Sequence, residues 1–69
     1  MPTRYNSYDL IRTITKEGWY CVTIRGSHHK FKHRSRPGIV VVPHPKSFVP
    51  PGTASQILKA AGCRFEPNQ

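Results

Sequence analysis

The stretch "WYCVTIRGSHHKFKHRSRPGIVVVP", residues 19–43, confines the chain to a small antiparallel sheet. Trp19 to Arg25 is short and rich in aromatic and β-branched residues, a composition that suits a pleated surface, and Gly26 and Ser27 break it. His28 to His33 follows with period-two alternation, and "SRPG" at Ser35 to Gly38 makes a second turn. Ile39 to Pro43 is a third strand that its proline ends. Three short strands with tight connections form an antiparallel meander.

Helical patterns flank the meander. In "SYDLIRTITKEGW" Ser7 is the expected N-cap, Asp9 lies in the first turn where the helix dipole favours it, and Gly18 supplies a left-handed stop. Leu10, Ile11 and Ile14 form a narrow apolar stripe suited to packing on a sheet. The second helix is expected over Thr53 to Ala61, capped by Gly52 or Thr53 and ended by Gly62, with Ala54, Ile57, Leu58 and Ala61 as its stripe. Between them "HPKSFVPPGT", from His44, is a stiff proline-rich loop. Met1 to Asn6 reads as a lead-in and "CRFEPNQ" as a partly frayed tail. The order α-β-β-β-α defines an α+β fold: one domain over residues 1–69, a three-stranded antiparallel sheet with both helices on one face, and the other face left to solvent.

A chain of 69 residues has a marginal core, so a large substrate held on the surface fits better than a small molecule in a cavity. Cys21 and Cys63 are too few for a disulfide framework and lack CxxC spacing, which makes them reduced, semi-buried thiols. No signal-like or membrane-spanning run occurs, and a cytosolic location is expected.

Eleven Lys/Arg against three Asp/Glu give a formal charge of +8, a field that draws in a polyanion. Between Glu17 and Glu66 there is no carboxylate, while Arg25, Lys30, Lys32, Arg34, Arg36, Lys46, Lys59 and Arg64 all fall there. The missing counter-charges exceed what solubility asks, so nucleic acid is the leading partner class.

Alternation then separates the histidines. With Phe31 pointing into the core, His29 and His33 share its side, and His28, Lys30 and Lys32 project from the open face. Two ammonium groups beside His28 favour its neutral form, able to take a proton. The same lysines can hold phosphate and stabilise charge developing at phosphorus. That set suits RNA cleavage, in which a base removes the 2′-hydroxyl proton; DNA would bind without reacting. His29 and His33 are read as structural, edge or anion-contacting residues, and His44 as a loop brace or a group approaching the site from the third strand's end. Tyr5, Tyr8 or Tyr20, if exposed, could stack on a base.

A zinc site would want four closed ligands, and Cys21, His28, His29, His33, His44 and Cys63 offer atoms without a recognisable pair spacing. Magnesium wants carboxylates that the central stretch lacks. No metal or other cofactor is therefore expected. A carboxylate partner for His28 would have to come through space from Asp9, Glu17 or Glu66.

At "GSHHKFKH", then "VVVPHP" and "PPGTASQILKAAG", the chain resembles the HicA family of bacterial type II toxins, over nearly its whole length. The resemblance implies a double-stranded-RNA-binding-like fold, metal-independent cleavage of mRNA by the first histidine after the Gly-Ser pair, and inhibition by a HicB-type antitoxin. That histidine is His28 here, and Gly26 and Ser27 match the turn before it. The "HRSRPG" turn and "KSFVPP" depart from the common pattern, which bears on antitoxin specificity.

The expected function is thus a ribonuclease toxin with His28 as general base and Arg25, Gly26, Ser27, Lys30, Lys32, Arg34 and Lys46 on the RNA. The general acid is unassigned, with His44 or a lysine as candidates. The expected antitoxin is acidic and covers His28. Two other readings are a non-catalytic double-stranded-RNA-binding module on the same basic strand and helix two, and a basic interaction protein wrapped by an acidic partner.

Overall fold

The computed structural model describes residues 5–65, which form α1 (Ser7–Lys16), β1 (Tyr20–Arg25), β2 (His28–Lys32), β3 (Val40–Pro43) and α2 (Pro51–Ala61). The expected lead-in before Tyr5, the tail from Glu66 and that residue's candidate carboxylate lie outside them. The sheet runs β1-β2-β3 with both pairings antiparallel, the expected α+β meander. Leu10 and Ile14 of α1 and Ala54, Ile57, Leu58 and Ala61 of α2 share one buried cluster with Phe31, Val40 and Val42, so both helices cover the same sheet face.

The ends of α1 differ from expectation at one residue. Asn6, not Ser7, is the N-cap: its Oδ1 accepts from the Asp9 amide at 2.8 Å, and its Nδ2 donates to Asp9 Oδ2 at 3.1 Å. This is a reciprocal cap closing the first turn. Ser7 is the first helical residue, fully buried, and its hydroxyl is turned instead toward Lys46 and His44. At the other end Gly18 has φ 102°, and a Cβ there would stand 2.8 Å from His33 Nε2, so both the backbone and the close approach demand glycine.

Helix α2 starts two residues before the expected Thr53, because Pro51 takes the first helical position, where a missing N–H and a preset φ fit. Pro50 precedes it as the cap, without a side-chain bond, and Gly62 closes the helix at φ 66°. The strands are shorter than read: His33 and Ile39 lie just outside β2 and β3. Cys63 and Phe65 pack partly buried against the core, and Phe65 meets Tyr5 edge-on at 4.8 Å, so the first residues of the expected frayed tail are docked.

Strand β1 is exposed along its length, since the helices pack over β3 and β2's Phe31 and stop short of it. Cys21 is therefore exposed rather than semi-buried, while Cys63 is half-buried. Trp19, just before β1, anchors that edge: it is buried, and its indole N–H donates to the Ala61 carbonyl at 3.1 Å. Trp19→Phe keeps most of the apolar contact but removes that carbonyl's indole donor, leaving the weaker Cys63 thiol at 3.5 Å, and should lower stability by about 1 kcal/mol. A lower urea midpoint at unchanged slope is the expected signature.

Candidate nucleic-acid interface and histidine cluster

The interface begins at the β1–β2 turn. Gly26 occupies the left-handed region at φ 56°, which lets the chain reverse in the two residues Gly26 and Ser27. Cross-strand partners share a face, and the register pairs Arg25 with His28, Thr23 with Lys30 and Tyr20 with Lys32, then His28 with Pro43 and Lys30 with Val41. Arg25, His28, Lys30 and Lys32 thus stand together on the face away from the helices. Phe31 is buried, His29 is half-buried on its side, and His28 is exposed.

The remaining candidate contacts sit apart from this ladder. Arg34 is exposed in the β2–β3 connection, and Lys46 is exposed in the loop after β3. Ser27 contributes backbone: its carbonyl accepts from the His44 amide at 2.7 Å, pinning the loop to the turn. Of the carboxylates offered to His28, Asp9 is engaged in the α1 cap and Glu17 lies exposed at the far end of that helix. Tyr5 is packed on Phe65, whereas Tyr8 and Tyr20 are 57% and 47% exposed, open to a base. Among the described residues no three His, Cys, Asp or Glu are grouped as a metal would need.

On the helix side the structure assembles a second histidine group. His44 Nδ1 lies 2.6 Å from Ser7 Oγ, and its ring meets Tyr8 at 4.7 Å and His29 at 4.8 Å, both edge-on. Ser7 Oγ also accepts from the Lys46 amide at 2.8 Å and donates to the Lys46 carbonyl at 3.2 Å. His44 is held below the ordinary histidine value of 6.5, first by its partial burial and then by His29 beside it. Its neighbour is His29, not His28, so the loop-brace reading describes its contacts.

His33 has a fixed tautomer. The Ser35 amide donates to Nδ1 at 3.1 Å, so Nε2 carries the proton and donates to the Glu17 carbonyl at 2.7 Å. With its ring edge-on to Trp19 at 5.2 Å, it straps the end of β2 to the end of α1.

Ser7 escapes the sequence reading as a site residue, and Tyr8, a base-stacking candidate there, escapes it as a partner of His44, because no local pattern reports a partner some 37 positions away. Within the described residues no helix is long and apolar enough to cross a membrane.

The model of the family described as the HicA toxin of bacterial toxin-antitoxin systems matches residues 7–63. The chain belongs to that family, and is a toxin of such a system. No curated protein matches it.

His44 gives a pH prediction. The folded chain disfavours its protonation and the unfolded chain does not, so the unfolded state binds more protons as pH falls below about 6.5, and stability drops. The decline ends once native His44 itself protonates. Urea titrations from pH 7.5 to 5 should show this slope in the wild type and a flatter one in His44→Gln.

Proposed function

We propose that the toxin is a metal-independent endoribonuclease that cuts mRNA in the cytosol and so arrests translation and growth. The observation that carries the reading is the exposed His28 imidazole on a face it shares with Arg25, Lys30 and Lys32. Family membership supports a target whose loss stops growth.

In this mechanism neutral His28 takes the 2′-hydroxyl proton, and the freed oxygen attacks the adjacent phosphorus. The bond from phosphorus to the 5′-oxygen breaks, leaving a cyclic phosphate on one fragment and, once an acid supplies a proton, a hydroxyl on the other. Arg25, Lys30 and Lys32 hold the phosphate oxygens and offset charge building in the transition state. The Gly26–Ser27 turn lets the RNA backbone approach, and Arg34 and Lys46 extend the contact beyond the ladder. For the acid, a lysine of the His28 face is one candidate. The other is His44, which follows Pro43, the cross-strand partner of His28.

The partner in this reading is a HicB-type antitoxin, acidic enough to cover His28 and neutralise its face together.

The decisive assay incubates RNA with purified protein in excess EDTA. Wild type should produce cut ends, and His28→Ala should lose at least 100-fold in rate while still binding RNA. Cleavage by His28→Ala at the wild-type rate would sink the assignment. Binding without any cleavage in either protein would mark a double-stranded-RNA-binding module instead. Lys30→Gln and Lys32→Gln should each lower the log-log salt slope of RNA affinity by about 0.7, the value for one phosphate contact on a single strand.

A further inference from the structure

The sheet has two free edges, and they are built differently. Strand β1 carries a bulge between Cys21 and Thr23, which breaks the regular spacing that another strand would need. Strand β3 pairs with β2 through Val40, Val41, Val42 and Pro43 without a bulge, and its other edge pairs with no strand among the described residues. Neither a lysine nor an inward charge guards its run of valines, and Ile39 and Val41 are 52% and 38% exposed.

Beside that edge lies a groove of about 220 Å³, walled by Ile39, Val40 and Val41 on one side and by Thr53, Gln56, Ile57 and Ala60 of α2 on the other. Successive strand residues point to opposite faces, so three in a row line one groove only where it runs along the strand's edge. The Arg36 guanidinium, just before β3, lies against Gly62, just after α2. The start of the strand is therefore beside the end of the helix, and the two walls run antiparallel. An open strand edge facing a helix is the geometry in which an extended peptide adds to a sheet.

The occupant can be chosen by chemistry. The walls hold no cation, which disfavours a nucleic-acid backbone. A second copy would bring another +8 against the first. The Arg36 guanidinium, against Gly62, stands toward the end of the groove, and no carboxylate occurs between Glu17 and Glu66 in the sequence to answer it.

We infer that this groove takes an extended segment of the antitoxin, apolar at alternate positions and acidic at one end, added as a fourth strand beside β3. Three residues beyond Val41, a segment following β3 has passed Pro43 and reached the strand end where His28 sits. Docking in the groove then directs the inhibitor over the catalytic face. That last step rests on the proposed role of His28; the groove itself does not.

Ala60 is exposed on α2 and outside the RNA face, so Ala60→Glu should fold while placing bulk and negative charge in the groove. Titrated against purified cognate antitoxin, Ala60→Glu should bind at least tenfold more weakly than wild type, and antitoxin should be correspondingly less able to stop it cutting RNA. Its RNA cleavage without antitoxin should equal the wild type's. Hydrogen exchange on the wild-type complex should protect the amides of 39–42 beyond their level in free toxin. Unchanged affinity of Ala60→Glu, protection of β1 in place of β3, or a toxin dimer that Ala60→Glu dissociates would each overturn the proposal. If neither protein cuts RNA, the ribonuclease reading fails alone, since affinity and exchange still judge the groove.

Discussion

The Ser7 hydroxyl ties the fold together. It sits fully buried at the first turn of α1, yet its partners come from the loop after β3, some 37 and 39 residues away in sequence. Backbone reinforces it, for the Ser7 amide donates to the Lys46 carbonyl at 2.9 Å. One side chain thus fixes where the chain goes after β3, and with it the path into α2. The hydroxyl has a single proton for two acceptors, the Lys46 carbonyl and His44 Nδ1. With the proton on Nδ1, it accepts from the imidazole and donates to the carbonyl; with Nδ1 bare, it donates to the imidazole. A serine tolerates both tautomers of His44 where a carboxylate or an amide would favour one.

The architecture was legible because the strongest signals are local. β-Branched runs, Gly-Ser and Pro-Gly turns and two short apolar stripes each answer to neighbours within a few residues, and their order fixes the meander and the helix-covered face. Phe31 alone sets the phase of β2, from which the exposure of His28 follows. What escaped is non-local. Ser7 has the residue type of an N-cap, and only contact with Lys46 and His44 explains why Asn6 caps the helix instead. The proline pair at 50 and 51 looks like a barrier to helix, although the first turn has no hydrogen bond there for proline to remove. The β3–α2 groove depends on where the helix settles, and no spacing within either element encodes it.

The charge distribution divides the molecule by function. The core and its polar clasps use neutral partners: an indole on a carbonyl, a serine on a histidine, and imidazoles edge-on to aromatic rings. Arg25, Lys30 and Lys32 are set on the outer strand face, where water screens them, in a stretch of sequence that holds no carboxylate. Concentrating like charge on so small a surface opposes folding, and nothing in the core requires it. A positive face without counter-charges makes sense when the missing anions arrive on another molecule.

RNA and an inhibitory protein both satisfy that demand, and the two must compete if inhibition is to work. Electrostatics alone would make them equivalent, because each covers the same cations and each weakens with salt. An apolar strand edge beside the ladder separates them: a protein can bury Ile39 and Val41 and pair its backbone with β3, whereas a phosphate backbone gains nothing from that edge. Binding at the edge and charge at the ladder then add within one partner, as linked contacts on a single chain do. Inhibitor affinity can therefore exceed RNA affinity without any change to the catalytic strand.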